Sequence, residues 1–87
     1  MKLILAIVHD SDSDSVTQGL TSASFRVTRV ASTGGMLRRG MTTLLIGVEP
    51  DQVDAAIQIL RETCTPAAAG EKRATIFVVP VDHFEQI

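Results

Sequence analysis

The feature that most constrains the fold is an apolar run near the start of the sequence, KLILAIV, at residues 2–8. A short run that is rich in Leu, Ile and Val is typical of a strand. Because the run does not alternate with polar residues, it predicts a central strand that is covered on both faces. In a chain of 87 residues, helices can cover one face, and the second face indicates contact with another copy of the chain.

The first helix is predicted at residues 13–22, after the turn HDSDSDS. Asp12 or Ser13 is the expected N-cap, since short polar side chains accept hydrogen bonds from the first free amides. The acidic residues of the turn suit the positive end of the helix dipole. Gly19 and several Thr and Ser residues lower the helix propensity of this segment.

A long hairpin is predicted next, with strands at residues 25–32 and 41–48 and a glycine-punctuated loop at 33–40. The first strand alternates, so that Phe25, Val27 and Arg29 share one face and Arg26, Thr28 and Val30 share the other. Within the second strand, Gly47 predicts either a bulge or a close approach by a ligand.

The second helix is predicted at residues 51–64, with Pro50 in its first turn. Its apolar stripe consists of Val53, Ala56, Ile57, Leu60 and Cys64. A linker at 65–73 then leads to a last strand at 74–79, where Pro80 ends the pairing or lies on a sheet edge. The six residues 82–87 form a short tail.

This order of elements predicts an α+β fold for one domain spanning residues 1–87. A βαββαβ chain forms a four-stranded antiparallel sheet with both helices on one face, the ferredoxin-like arrangement. The other sheet face would then be apolar and bare in a monomer. Since large bare apolar faces are unfavourable in water, we expect other subunits to cover it.

Bulk properties exclude several classes of partner. The formal net charge of −2 at pH 7 disfavours non-specific binding to nucleic acid. No segment approaches the ~20 apolar residues of a membrane-spanning helix, so neither nucleic acid nor membrane is expected as a partner. Cys64 is the single cysteine, which fits a reducing compartment, and a cytoplasmic location is expected.

Positive charge is concentrated in residues 26–40, which hold four arginines and no acidic residue. Gly34 and Gly35 lie in the loop between these arginines, where glycine lets backbone amides approach an anion closely. One interpretation is a site for a phosphorylated ligand, since arginine binds phosphate in bidentate fashion. The other is a turn that needs glycine, flanked by solvated arginines.

No catalytic motif can be assembled from the sequence, and an enzyme is not predicted. His9 and His83 are far apart and lack partners at metal-ligand spacing. Cys64 ends the helix stripe and is expected to be a buried or half-buried thiol. Asp12 and Asp14 could attract a cation, although a helix N-terminus explains them more simply.

Three segments, MKLILAIVHDSDS, SFRVTRVASTGGMLRRGMTTLLIGV and ATIFVVPVDHFEQI, resemble the PII-like cyclic-di-AMP receptor proteins of bacteria. The resemblance implies a homotrimer that binds one nucleotide in each cleft between subunits. The expected ligand is cyclic-di-AMP or another adenine nucleotide, with no cofactor and no catalysis. The implied role is signal transduction to an unidentified downstream protein, through ligand-dependent order in the loop at residues 34–40.

The resemblance also implies a set of ligand-binding residues in the hairpin and in the neighbour's C-terminal tail. They are Arg26 and Thr28 near phosphate and ribose, Gly35, Met36 and Leu37 in the glycine loop, Met41, Gly47 as a close-approach position, and Gln86 as a polar contact to a base.

Three departures from the family pattern affect the expected function. Met41 replaces an Asn that reads the adenine edge, and Met has no comparable donor or acceptor. Losing such a hydrogen bond costs about 1–3 kcal/mol, or roughly one to two decades of affinity. Met36 replaces a common Phe, and the linker at 65–73 replaces a longer loop.

Two alternatives follow from these departures. In the first, the same cleft has lost cyclic-di-AMP and binds another small anion or nucleotide. In the second, the domain is a protein-interaction module whose arginines contact an acidic partner.

Overall fold

The computed structural model describes residues 1–33, 40–66 and 72–87. Its elements are β1 (Lys2–His9), α1 (Asp10–Ser22), β2 (Arg26–Thr33), β3 (Met41–Val48), a short 3-10 turn (Pro50–Gln52), α2 (Val53–Thr63) and β4 (Ala74–Pro80). The sheet order is β2-β3-β1-β4, and every neighbouring pair is antiparallel. The predicted α+β class and antiparallel sheet are confirmed.

The apolar run at the start of the sequence forms β1, which lies in the middle of the sheet. It pairs with β3 on one side and β4 on the other. β2 and β4 are therefore the two edge strands, and Pro80 ends an edge strand as predicted. Among the described residues, neither helix is long and apolar enough to span a membrane.

One face of the sheet carries the hydrophobic core beneath both helices. Ile4, Ala6 and Val8 of β1 are fully buried there. They pack with apolar residues from β3 and from both helices, namely Leu44, Ile46, Val48, Val16, Leu20, Ala56, Leu60 and Cys64. The predicted stripe of α2 is confirmed in Ala56, Leu60 and Cys64, while Ile57 is only half-buried. Ile59, which was not predicted, also packs against the core.

The other side of the sheet, called the open face below, is covered by neither of the two helices in the described residues. Residues that are paired directly across strands share a face, so the register defines rows across the open face. One row is Arg26, Gly47, Leu3 and Val79, and the next is Thr28, Leu45, Leu5 and Phe77. The alternation predicted for β2 is confirmed, because Phe25 and Val27 pack against the core on the helix side.

The first helix begins earlier than predicted. α1 starts at Asp10, and His9 is the N-cap residue, without a side-chain cap. The predicted cap at Asp12 or Ser13 is wrong, because both residues are buried inside the first turns. Asp12 accepts a hydrogen bond from Thr65, beyond α2, and the hydroxyl of Ser13 donates to the carbonyl oxygen of Asp10 within α1, so neither side chain caps the helix.

A bulge occurs in the hairpin, but not at Gly47. The pairing of β2 with β3 shifts between Val30 and Thr33, where β2 gains one residue. Gly47 keeps regular pairing with Arg26 and with Leu3. The bulge interpretation of Gly47 is therefore wrong, and the close-approach interpretation stays a prediction.

Gly19 marks the point where α1 crosses α2. A Cβ atom added at this position would lie 3.0 Å from Cγ2 of Thr63 and 3.2 Å from Cγ2 of Ile59. Both distances are shorter than ordinary van der Waals contact. The glycine that weakens the helix propensity of α1 thus allows the two helices to pack closely.

We expect Gly19→Val to lower the free energy of unfolding by about 1–3 kcal/mol, because overpacking forces the helices apart. The matched control is Gln18→Val on the exposed side of α1, expected to change stability by less than about 0.5 kcal/mol. Urea unfolding followed by circular dichroism measures both variants. A Gly19→Val variant as stable as the parent would contradict this helix packing.

Candidate functional site

Arg26 and Gly47 form the centre of the candidate site, at the end of the hairpin that is farthest from its loop. They are direct partners between β2 and β3, which places their Cα atoms about 4.5–5.5 Å apart. Arg26 is exposed. On the open face, Arg26 therefore neighbours a position that has no side chain of its own.

Neither the backbone nor the packing within the chain requires glycine at position 47. A Cβ atom there would lie 3.6 Å from Cε of Met1, an ordinary contact. Glycine inside a strand also costs about 0.5–1 kcal/mol relative to alanine. The described residues thus give no internal reason for glycine at this position, and the predicted close approach by a ligand stays a prediction.

Thr28 continues the candidate site along β2. It is exposed and pairs with Leu45, in the row that ends at Phe77 on β4. Phe77 is 54% exposed, although it is the largest apolar side chain of this face. A polar edge formed by Arg26 and Thr28 thus borders an apolar sheet surface.

Arg29 belongs to the opposite side of β2 and to a different interaction. Its Nη2 atom donates to Oδ1 of Asp14 at 2.8 Å and lies 3.5 Å from Oγ1 of Thr17, both on α1. Both side chains of the ion pair are substantially exposed, so its contribution to stability is small. Arg29 therefore ties β2 to α1, and it is Arg26 that faces the open side.

Met41 and Gln86 are not brought together with Arg26 in one chain. Met41 pairs with His9 and with Thr33 at the upper end of β3, roughly 20 Å from Gly47 at about 3.3 Å per residue. Gln86 is exposed in the tail that follows β4. Gly35, Met36 and Leu37 lie outside the described residues, as do Arg38 and Arg39.

The acidic turn that opens α1 connects several elements. Asp10 accepts a hydrogen bond from Thr42 on β3, and its amide donates to the carbonyl oxygen of Gly40 at 3.0 Å. Asp12, which is 4% exposed, accepts from Oγ1 of Thr65 at 2.6 Å.

Each carboxylate of the acidic turn has a partner within the protein. Asp14 is paired with Arg29, and within residues 1–33, 40–66 and 72–87 no group of three His, Cys, Asp or Glu side chains could hold a metal ion.

The sequence did not indicate a cleft that opens where α2 ends and β4 begins. Its volume is about 530 Å³, and its lining includes Arg61, Lys72, Arg73 and Cys64. Arg73 donates to the carbonyl oxygen of Arg61 at 3.2 Å and so caps the end of α2. Burial, followed by the charge of Asp12, raises the pKa of Cys64 above its usual value, so the thiol is neutral at pH 7. Arg26, Thr28, Met41, Gly47 and Gln86, the described residues that the resemblance assigns to the ligand, do not line this cleft.

Comparison with known proteins identifies the family. The family model described as "Cyclic-di-AMP receptor" matches residues 1–69. The chain belongs to the cyclic-di-AMP receptor family. The match includes Arg26, Thr28, Met41 and Gly47, whereas Gln86 lies beyond it.

A solved structure supports the same fold for this cyclic-di-AMP receptor family member. It is described as a functionally unknown protein from Pediococcus pentosaceus ATCC 25745. It shares 30% sequence identity with this chain, and the TM-score is 0.77. The similarity covers 99% of this chain and 96% of the other, so it includes the tail that carries Gln86.

Proposed function

We propose that this protein is a cytoplasmic, homotrimeric PII-like receptor that binds cyclic-di-AMP between its subunits and transmits the signal to a downstream protein. The observation that carries the proposal is the pairing of Arg26 with Gly47 at the edge of an apolar sheet face. Membership of the cyclic-di-AMP receptor family supports the choice of ligand.

The chemistry of Arg26, Thr28 and Gly47 suits a cyclic dinucleotide. Arginine binds a phosphate diester through charged hydrogen bonds, which are stronger than neutral ones. The hydroxyl of Thr28 can donate to a phosphate or ribose oxygen or accept from a ribose hydroxyl. Because Gly47 has no side chain, a base or a sugar of the ligand can approach the backbone of β3 at this position. The three residues lie on one face within two adjacent rows of the sheet.

The positions of β2 and β4 support a site shared between subunits. These strands are the opposite edges of the sheet, about 14 Å apart across three strand spacings. The tail with Gln86 leaves from β4, whereas Arg26 lies on β2. Among the described residues, no hydrogen bond joins residues 82–87 to β2 or β3. A neighbouring subunit that covers the open face would bring its own tail to Arg26.

The acidic turn of α1 provides a route for the signal. Asp10 forms hydrogen bonds with both Gly40 and Thr42, at the point where β3 begins. Asp12 holds Thr65, at the start of the connection from α2 to β4. A ligand that changes the order of the loop at residues 34–40 would therefore act on the same turn that anchors this second connection.

Arg26→Gln is expected to weaken cyclic-di-AMP binding by about 10- to 100-fold, because a charged hydrogen bond to phosphate is lost. Arg29→Gln is the matched control on the same strand. Since Arg29 faces α1, its variant should bind within about threefold of the parent. Isothermal titration calorimetry measures both variants, with ATP and cyclic-di-GMP as competing ligands.

Equal losses in the Arg26 and Arg29 variants would contradict the assignment of the ligand to the open face. If the parent protein gives no heat with any adenine nucleotide, the proposed receptor function is wrong. Binding of an acidic partner protein would then become the favoured role for the hairpin arginines.

Phe77→Glu is expected to convert the trimer to monomers, because it places a charge in the apolar face that neighbouring subunits would cover. The control is Val78→Glu, at the neighbouring position on the helix side, where the side chain is 40% exposed. Analytical ultracentrifugation measures the mass of each variant, and circular dichroism checks that both are folded. A parent protein that sediments as a monomer would contradict the shared site.

Met41 favours a second candidate function, in which the cleft has lost cyclic-di-AMP and binds another small anion or nucleotide. The side chain is half-buried at the upper end of β3, where the family carries an amide that reads a base. A thioether is only a weak acceptor and no donor. This candidate keeps the fold and the phosphate contact of Arg26 and changes the preferred base.

Met41→Asn is expected to increase cyclic-di-AMP affinity by about 10- to 100-fold, since it restores a base-reading hydrogen bond. Met41→Leu, which conserves volume without an amide, should leave the affinity unchanged. Calorimetry with cyclic-di-AMP measures both. If the parent already binds cyclic-di-AMP tightly and Met41→Asn gives no gain in affinity, the side chain at position 41 does not contact a base. The second candidate function is then wrong.

A further inference from the structure

Met1 is not among the ligand-binding residues that the family resemblance implies. Its Cε atom is 3.6 Å from the point that a Cβ atom of Gly47 would occupy. Gly47 is flanked on the open face by Arg26 on β2 and by Leu3 on β1. The side chain of Met1 therefore lies over the single position of this row that has no side chain.

The space above Gly47 is thus a notch with a defined lining, called the Gly47 notch below. Its floor is the backbone of β3, its sides are Arg26 and Leu3, and Met1 lies over it. Met1 is 47% exposed, so its flexible side chain can be moved at little cost. Met side chains are well suited to pack against flat rings, because the thioether is polarizable and adapts to the partner.

The main chain of Met1 is fixed while its side chain is exposed. The amide of Val81 donates to the carbonyl oxygen of Met1 at 3.1 Å, just after β4 ends. The residue is therefore anchored to the start of the C-terminal tail. This anchor keeps the thioether near Gly47 rather than leaving it free in solvent.

We propose that Met1 is a ligand-contact residue of this receptor, whose thioether packs against a ring of the nucleotide bound at the Gly47 notch. The proposal rests on the proposed receptor function and adds one residue to its site. It also assigns a ring, rather than a phosphate, to the space directly above Gly47. Arg26 at the side of the notch then contacts the adjoining phosphate.

The test uses protein labelled with ¹³C at the methionine methyl groups, of which the chain has three. The Met1 signal is assigned by its loss in Met1→Leu, released from a cleavable N-terminal fusion so that residue 1 comes first. In ligand-free protein, Gly47→Ala should shift the Met1 methyl signal. Saturation with cyclic-di-AMP should shift it in the parent protein.

Affinity provides the second readout. Met1→Ala should weaken cyclic-di-AMP binding by about tenfold, since part of an apolar side chain no longer packs against the ligand. Met1→Leu keeps the volume but lacks the thioether, so it should lose less affinity than Met1→Ala. Unfolding of both variants by urea checks that their stability is equal.

The outcomes separate this inference from the receptor function. Calorimetric heat with an unchanged Met1 signal, or unchanged affinity in Met1→Ala, overturns the role of Met1 alone. No heat with cyclic-di-AMP overturns both. A shifted Met1 signal together with a tenfold loss in Met1→Ala supports the contact.

Discussion

The rest of this structure depends on the position of an apolar strand in the middle of a small sheet. β1 pairs on both sides, so its side chains alternate between two faces. Two helices cover one face, and no helix formed by residues 1–33, 40–66 or 72–87 covers the other. The apolar open face and the polar edge beside it both follow from this shortage of covering elements. A surface that needs a partner for its burial is also well placed to form a site between partners.

The start of α1 links the sheet to the segment that follows α2. Asp10, Asp12 and Asp14 each bond to a different segment, namely β3, the connection that follows α2, and β2. Asp12 is buried, so its hydrogen bond to Thr65 forms away from solvent, where a lost partner is costly. The acidic stretch is therefore an internal connector between elements.

Much of the fold could be predicted from the sequence, because it follows from local periodicity. The central strand, the stripe of α2 and the two faces of β2 all depend on spacing alone. The start of α1 could not be predicted in this way. HDSDSDS contains several good caps, but none of them caps α1, and its carboxylates bond instead to Thr42, Thr65 and Arg29, which are distant in sequence.

The candidate site was predictable to a smaller extent. Arg26 and Thr28 were placed on one face from alternation, and the register then joined them to Gly47. A glycine in a strand has two explanations, a bulge or a close approach, and only pairing separates them. The actual bulge lies in the segment from Val30 to Thr33, which contains no glycine. Met1 and the cleft beside Cys64 carry no sequence signal, because their roles arise from contacts with distant parts of the chain.

The bulge in β2 has a consequence for the solubility of the protein. Both edge strands expose backbone groups that another chain could extend into a continuous sheet. The extra residue between Val30 and Thr33 breaks the regular spacing of β2, and Pro80 removes an amide from the end of β4. Each edge strand therefore offers a shorter regular stretch of backbone to which another strand could pair. Both features make the sheet edges poorer templates for the open-ended growth that leads to fibres.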